Sequence, residues 1–414
     1  MTRSPDVVVV GAGAVGMASA YELARAGLRV VVLEEQAEAG LGCSYGSAGL
    51  VCPSHPTPLG TWSNVRAGAT SLLTGTGPTR VRPEWRLVPW MSRFLAATAR
   101  PGFARHVGAV LAASARQSLV RHQELVDSGV ETSFRADGIL GLYRSERTLT
   151  AELSRVDAIR RELPGRRVAP AALGRYVTAD TEVAGGVYTE AEGHCDSRQF
   201  VVGMAEACRA LEVEIVTGAG PVELLRRGTR VERVLTAAGE FRPRSVVLAA
   251  GVGTRLLAEQ LGTRLPLVGA TGYHVDFLTD AVETTCPVYL PESHFVLTPL
   301  DGRMRLAGML DLGTPRTSVE RRMRDVFDEV RRYFPRFDAE VRARWSGQRP
   351  CTPDSLPVVG AGAGTDNAVY ATGHGMMGIA LAPITGRWVA DIVTGGTQES
   401  LAEFSPDRFT RLGR

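Results

Sequence analysis

The sequence predicts an α/β fold, α+β overall, in which a parallel-strand nucleotide-binding unit carries a largely antiparallel sheet. Three observations point to it. Residues 6–35, DVVVVGAGAVGMASAYELARAGLRVVVLEE, read as strand, glycine turn, helix and second strand. A second strand running into a glycine turn recurs at Ala249-Ala250-Gly251. Between Leu267 and Met309, short runs of alternating polar and apolar residues suit an antiparallel sheet with one exposed face.

Val7 to Val10 is an unbroken β-branched run, as a strand buried on both faces requires. Gly11, Gly13 and Gly16 follow in the spacing G-x-G-x-x-G. The first makes the tight turn, the second lets backbone approach a pyrophosphate, and the third lets helix lie close on strand. The predicted helix, Ala14 to Ala26, stops at Gly27, and a second strand, Val30 to Leu33, ends on Glu34. An acid there, 18 residues after Gly16, accepts both hydroxyls of an adenosine ribose and repels a 2′-phosphate, which favours FAD or NAD over NADP.

Composition removes whole classes of chemistry. The 414 residues carry a formal net charge of +3, which gives no ground for a nucleic-acid role. All 47 basic residues are arginine, so a Schiff-base lysine, a pyridoxal phosphate anchor and a phosphate-loop lysine are excluded. Cys43, Cys52, Cys195, Cys208, Cys286 and Cys351 show no zinc spacing and read as reduced thiols of a cytoplasmic protein. No apolar run reaches the roughly 18 residues that cross a bilayer. Val7 to Ala20 mimics a signal peptide, but Asp6 stands where a basic flank belongs and cleavage would remove the glycine turn. The expectation is a soluble protein, free or peripheral at a membrane.

Gly42-Cys43-Ser44-Tyr45-Gly46 matches a hydrolase elbow but lies in a loop of small residues instead of between strand and helix. From Cys52 to about Arg105, Pro53, Pro56, Pro58, Pro78, Pro83 and Pro89 argue for loops and short helices. Helices are expected over Gly108 to Ser128, Ala151 to Leu163 and Arg198 to Leu211, the last capped by Asp196 or Ser197. Strands are expected at Ile139 to Tyr143, Glu214 to Val216, Val222 to Leu225, Val231 to Thr236 and Ser245 to Ala249. Further strands follow at Leu267 to Leu278, Pro287 to Leu290, His294 to Pro299 and Met304 to Met309. Thr317 to Tyr333 is an amphipathic helix with a capping box at Thr317 and Glu320 and an apolar stripe of Val319, Met323, Val326, Phe327 and Val330. A strand at Ala368 to Ala371 then runs into Gly373-His374-Gly375-Met376-Met377-Gly378 and a helix to Val393, which Pro383 should loosen in its first turns.

With GAGAVG and Glu34 at one end, and GQRPCTPDSLPVVG and ATGHGMMGIALAPITG at the other, nearly the whole chain resembles FAD-dependent amino-acid oxidoreductases. The likeness is closest to bacterial D-amino-acid dehydrogenases, with glycine oxidase and sarcosine oxidase as wider relatives. It implies a discontinuous Rossmann-like FAD domain of the glutathione-reductase type, residues 1–50, 145–262 and 340–414. An antiparallel-sheet substrate domain would then take residues 51–144 and 263–339. It places cofactor contacts at Ala14, Val15, Glu34, Glu35, Ser44, Ser47, Ala48, Gly49, Val222 and Gly251, and wraps the flavin ring with Gly373, His374, Gly375, Met376, Met377, Gly378 and Ile379. Amides at that helix start would stabilise charge developing at the flavin N1 and C2 oxygen. Arg349 matches the position that grips the substrate carboxylate, while Tyr273 and His294 are candidates for its amine side.

The implied reaction oxidises the Cα–N bond of a D-amino acid or N-substituted glycine to an imine, with hydride passing to a non-covalently held FAD. Oxygen or a quinone would take the electrons. The relatives place a lysine before the Gly-Tyr pair, whereas Thr271 stands there, and no lysine is available to activate oxygen. That favours a dehydrogenase unless His274 or an arginine supplies the charge. A secondary-amine oxidase and a non-catalytic flavoprotein are the alternatives; a flavin hydroxylase is disfavoured because no Gly-Asp dipeptide occurs. Cys351, between Pro350 and Thr352, does not fit a covalent flavin attachment motif.

Overall fold

The structure, a computed structural model, describes residues 2–54, 56, 58–75, 77–159, 165–178, 181–314, 319–362, 364–396 and 399–409. A six-stranded sheet is built outward from Val7–Val10 in the order Glu214–Val216, Val30–Leu33, Val7–Val10, Ser245–Leu248, Ala368–Thr372, Val358–Ala361. Its first five strands are parallel and the last is antiparallel. Every residue of Val7–Val10 and Val30–Leu33 is buried, which is why those strands are continuous valine and leucine runs.

Helix Ala14–Arg25 is buried from Ala14 through Leu23. On one side lies the sheet, on another the helix Gly378–Val393, approached so closely that a Cβ on Gly386 would stand 2.4 Å from the Ala18 carbonyl oxygen. Pro383 lies inside Gly378–Val393 without ending it. A proline at that position cannot donate to the carbonyl four residues earlier, that of Ile379. His122, from the long helix Phe103–Asp127, lies with Nε2 3.1 Å from that oxygen, which makes Nε2–H the donor.

The second sheet has nine strands, mostly antiparallel. Its main path runs Glu340–Cys351, Val268–Leu278, Arg303–Leu312, Phe295–Leu300, Val288–Leu290, Ile139–Tyr143, Gly185–Thr189, Gly165–Val168, and Thr79–Val81 pairs parallel to Arg303–Leu312. Helix Val319–Arg331 covers it with Val326 and Val330, while Val319 and Phe327 are half-buried. Thr317 of the expected capping box, the Met323 side chain and the end of the helix expected to run to Leu163 lie outside the described residues. Asp196 is the cap of helix Ser197–Ala210, accepting from the Arg198 amide at 2.9 Å.

Several segments depart from expectation. Helix Phe103–Asp127 begins five residues before the expected Gly108, and the charged helix is Glu146–Ile159, starting five before Ala151. Glu340–Cys351 is a twelve-residue edge strand that the sequence did not signal, because one face carries Arg342 and Arg344 and the other carries Trp345, Gly347 and Arg349 instead of aliphatics. The proline-rich stretch after Cys52 holds two substantial helices, Trp62–Thr74 and Val88–Thr98. Its prolines fall outside the first and at the start of the second, where a missing N–H is harmless.

The expected domain limits and the sheets also part company. Gly165–Val168, Gly185–Thr189 and Glu340–Cys351 hydrogen-bond into the nine-stranded sheet although they fall in 145–262 and 340–414. Helix Phe103–Asp127, within 51–144, buries Val107, Leu111, Ala115 and Leu125 against the core of the six-stranded sheet. His122→Leu leaves the Ile379 carbonyl without a donor, and the unfolding free energy in urea should fall by about 1–3 kcal/mol. An unchanged urea midpoint would mean that the proline gap needs no partner.

Candidate active site

The two sheets face one another across a cleft of about 690 Å³, within the range of small-molecule sites. Its floor is the C-terminal edge of the parallel strands, Val10, Leu33 and Ala249. Backbone packing creates it: Gly11 has φ +104°, and a Cβ there would stand 2.6 Å from the Ala249 carbonyl oxygen. A Cβ on Gly16 would lie 1.9 Å from the Gly11 carbonyl oxygen, so only glycine allows the helix to start this close.

Gly13, the N-cap of helix Ala14–Arg25, has no side chain to cap it. The missing hydroxyl comes from Ser44 in the turn Cys43–Gly46, whose Oγ accepts from the Ala14 amide at 3.0 Å. Glu34 closes the adjoining corner: its carboxylate accepts from the Ala12 amide at 2.7 Å and the Gln36 amide at 3.0 Å. At the opposite end helix Gly378–Val393 also begins in the cleft, with Met377 as an N-cap that offers no side-chain bond. Two helix N-termini, each with first-turn amides that cannot bond within the helix, thus open on one cavity, an arrangement that favours anionic groups at both ends.

The large sheet supplies the lid. Trp345, Gly347 and Arg349 alternate on one face of Glu340–Cys351 and look into the cleft. Arg349 lies across Gly272, where a Cβ would meet its guanidinium carbon at 2.3 Å. Its Nη1 donates to the Met309 carbonyl at 2.7 Å. Met309 has φ +58° and is the extra residue of a β-bulge opposite Gly272, so strand irregularity aims that carbonyl at the arginine. Arg349 is the one arginine among the described residues lining the cleft.

Around Gly46, the rings of His274 and Trp345 stack with centroids 5.3 Å apart, and Tyr45 lies beside both. A Cβ on Gly46 would stand 2.0 Å from the Trp345 ring. Below them Arg305 is buried and bidentate on Asp276, at 2.8 and 2.9 Å, and its Nη1 reaches the Ser47 carbonyl at 3.1 Å. The cofactor-side loop is thereby bolted to the large sheet.

Most expected residues converge. Gly11, Gly13, Ala14, Val15, Glu34, Glu35, Ser44, Ser47, Val222, Gly251, His374, Gly375, Met376, Gly378, Ile379 and Arg349 all line the cleft. Gly16, Ala48, Gly49, Gly373 and Met377 fall outside the lining, and Gly373 and Met377 line a small adjoining cavity with Cys351 and Thr352. The Ala48 carbonyl accepts from the Thr298 hydroxyl, and a Cβ on Gly49 would strike the Cys195 carbonyl at 1.8 Å.

Two expected residues are elsewhere. Tyr273 points to the far face of its strand, because side chains alternate and Gly272 and His274 take the cleft face. There it donates to Asp311 at 2.9 Å, and burial and that carboxylate push its phenol up to about 12. His294 stands exposed at a turn with φ +58°, outside the cleft lining. Trp345, Gly347, Gln348 and Cys43 line the cleft without having been singled out; the Trp-x-Gly-x-Arg alternation is the signal that could have found the first two.

His274 is not the substitute cation. Burial and the neighbouring Arg305 depress it to about 4, so it is neutral at pH 7. His374, with Nε2 2.9 Å from the Thr385 hydroxyl, is depressed by burial to about 3 and is likewise neutral. The Cys351 thiol is pushed up to about 12 by burial and stays protonated.

The sequence profile of the FAD dependent oxidoreductase family matches residues 6–392. The chain belongs to that family. This oxidoreductase takes FAD, and its cleft fits the cofactor: two glycine-opened helix starts, an acid at Glu34 and a cavity lined by Gly13, Gly251 and Gly375. Among sequenced relatives, it is 33% identical to a D-amino acid dehydrogenase of Paramagnetospirillum magneticum, over 98% of this chain and 99% of the relative. A D-amino acid dehydrogenase of Rhizorhabdus wittichii is 29% identical over 94% and 96%. Among solved structures, the fold matches glycine oxidase from Geobacillus kaustophilus with a TM-score of 0.73 at 21% identity, covering 98% and 99% of the chains. L-proline dehydrogenase from P. horikoshii matches with a TM-score of 0.75 at 18% identity, covering 99% of both.

The neutral buried histidines set a pH dependence for this oxidoreductase. Their charged forms are disfavoured in the folded state, so the unfolded chain binds more protons below its ordinary histidine value. Their contribution is complete above pH 6.5 and is lost as pH falls toward about 4 for His274 and about 3 for His374. The urea midpoint should drop between pH 7.5 and 5, with a shallower drop in His274→Asn. Equal slopes in both proteins would remove His274 from this account.

Proposed function

We propose that this oxidoreductase oxidises the Cα–N bond of a free D-amino acid to an imine, which water hydrolyses to a 2-oxo acid and ammonia. Arg349 carries that reading. It faces the cleft with one nitrogen committed to a neutral carbonyl, so its charge is not cancelled and the rest of its planar fork can take a carboxylate bidentately. The names of the relatives, D-amino acid dehydrogenases, support the substrate class and configuration.

FAD, when bound, supplies the hydride acceptor. The chain's own contribution is position and dryness. Arg349 fixes the carboxylate, and with it the direction of Cα; Trp345 and His274 close the space beside it. Holding the reacting atoms roughly 3–3.5 Å apart is where such a site gains rate. With His274 and His374 neutral, Tyr273 on the far face and His294 outside the lining, the geometry suits a substrate that enters with its amine already neutral. In this reading the six-stranded sheet holds the cofactor and the nine-stranded sheet covers the substrate.

FAD is held without a covalent bond: the Cys351 thiol is buried, protonated and outside the main cleft lining. Electrons leave to an acceptor other than oxygen, such as a quinone. No lysine exists in the chain, His274 is neutral, and Arg349, the one arginine among the described residues lining the cleft, is taken up by the substrate carboxylate in this reading, which leaves no spare cation to stabilise reduced oxygen. Among the described residues no helix is long and apolar enough to cross a membrane, and we place the enzyme in the cytoplasm.

Titrating the anaerobic holoenzyme with D-amino acids should bleach the flavin absorbance, with little recovery on opening to air until a quinone analogue is added. Bleaching only by N-alkylglycines or proline derivatives would reassign the substrate, and fast recovery in air would make it an oxidase. Arg349→Ala should retain FAD while kcat/KM for the carboxylate substrate falls roughly 10²- to 10³-fold, the loss of two hydrogen bonds to a charged group. Unchanged kinetics in that variant would remove the anchor. Acid denaturation should release the flavin into the supernatant.

A further inference from the structure

Two glycines make a bare floor on the cleft face of the large sheet. Gly272 and Gly347 are partners across the antiparallel strands Val268–Leu278 and Glu340–Cys351. The large side chains beside them lean over that floor from opposite directions. For a Cβ added to Gly272, the three nearest atoms would all belong to the Arg349 guanidinium: its carbon, Nη2 and Nη1. For a Cβ added to Gly347, they would be ring atoms of Trp345. Arg349 and Trp345 are thus folded toward each other over one strip of backbone, and neither fits that close to the sheet above a residue with a side chain.

The guanidinium is also tied on one side. Its Nη1 donates to the Met309 carbonyl at 2.7 Å, while among the described residues Nε and Nη2 have no partner. Met309 has φ +58°, and His294, which stands opposite it just beyond the register pair Phe295–Gly308, has φ +58° as well. Left-handed backbone is unfavourable for residues that carry a Cβ. Two of them side by side, at the point where the arginine is held, mark a place where the sheet gives up stability to set the direction of a carbonyl.

We propose that Gly272 and the Met309 carbonyl are the positioning elements of Arg349, holding its guanidinium flat on the sheet so that its Nε–Nη2 edge alone meets the substrate carboxylate. The proposal rests on the reading of Arg349 as the carboxylate anchor. The N–H bonds along the Nε–Nη2 edge run parallel and take both carboxylate oxygens at once, whereas Nη1 is already committed to Met309. A guanidinium free to turn would offer either edge and leave the substrate Cα pointing in two directions. Fixing one edge fixes one direction, and a misplacement of about 1 Å at the reacting atoms costs roughly 10²-fold in rate. Gly272 therefore acts on orientation and not on charge: the cation stays, and only its placement depends on the glycine.

The test is anaerobic reduction of the FAD-loaded enzyme by D-alanine, D-valine or D-phenylalanine, whichever bleaches the unmodified flavin fastest. It is followed to saturation, so that the limiting rate and the substrate dissociation constant separate. Gly272→Ala should keep the bound-flavin spectrum while the limiting rate falls roughly 10- to 100-fold and the dissociation constant rises no more than about threefold. In the Arg349→Ala background the same substitution should change the rate less than about twofold, because nothing then lies over residue 272. A crystal structure of the FAD-loaded enzyme with the matching 2-oxo acid should place the carboxylate on Nε and Nη2, with Nη1 still on Met309. The proposal is overturned if Gly272→Ala reduces as fast as the unmodified enzyme, or is as harmful with Arg349→Ala as without it. A loss confined to the dissociation constant, or a carboxylate held by Nη1, overturns it too. Should Arg349→Ala itself reduce at the unmodified rate, or none of the three amino acids bleach the flavin, the anchor or substrate reading fails and this proposal with it. An impaired Arg349→Ala beside an unimpaired Gly272→Ala leaves that reading standing and removes only the positioning.

Discussion

Contact of backbone with backbone at the edge of the parallel sheet is the constraint on which the site depends. The Gly11 carbonyl lies where a Cβ of Gly16 would be, and the Ala249 carbonyl lies where a Cβ of Gly11 would be. These two contacts draw the start of the first helix and the second strand-to-glycine turn onto one floor. Any side chain there would push the helix outward and move its first-turn amides away from the cleft. Ser44 and Glu34 then fix the remaining polar groups of the turn, one on the Ala14 amide and one on the Ala12 amide.

Charge in the lid is divided between structure and chemistry by burial. Arg305 is sealed in, answered on both sides by Asp276, and spends its remaining donors on the cofactor-side loop. Arg322 is equally buried and answered by Asp311, whose other oxygen takes the Tyr273 hydroxyl. Arg349 differs in having only a carbonyl for a partner, presented by a bulged residue with positive φ. A cation left uncancelled at the wall of a cleft has a use for an anion; the other two do not. The same distinction explains why His274, close to two arginines and away from water, is neutral and serves as a stacking surface.

The second helix start is maintained at some expense to the helix itself. Pro383 deprives the Ile379 carbonyl of its donor, and His122 from another element restores it. That coupling ties the long helix Phe103–Asp127 to the residues that open into the cleft, so a helix expected among the 51–144 segment packs in the core of the six-stranded sheet.

The sequence by itself determined the nucleotide-binding unit, because glycine spacing, β-branched strands and a terminal acid are local rules that act within some thirty residues. The family resemblance pointed to Arg349 and the Gly373–Ile379 stretch, and Arg349, His374, Gly375, Met376, Gly378 and Ile379 do line the cleft. Tertiary structure decided what depends on alternation and register over long separations. Tyr273 was assigned to the substrate although Gly272 holds the cleft face of that strand, and a one-residue step reverses the side. Glu340–Cys351 carries no aliphatic period because one face is charged and the other builds the site, so its strand character comes from pairing with Val268–Leu278, more than sixty residues away. The stretch from Cys52 to about Arg105 was legible only as proline-rich, and packing decided that Val65, Trp90 and Phe94 turn inward from its two helices.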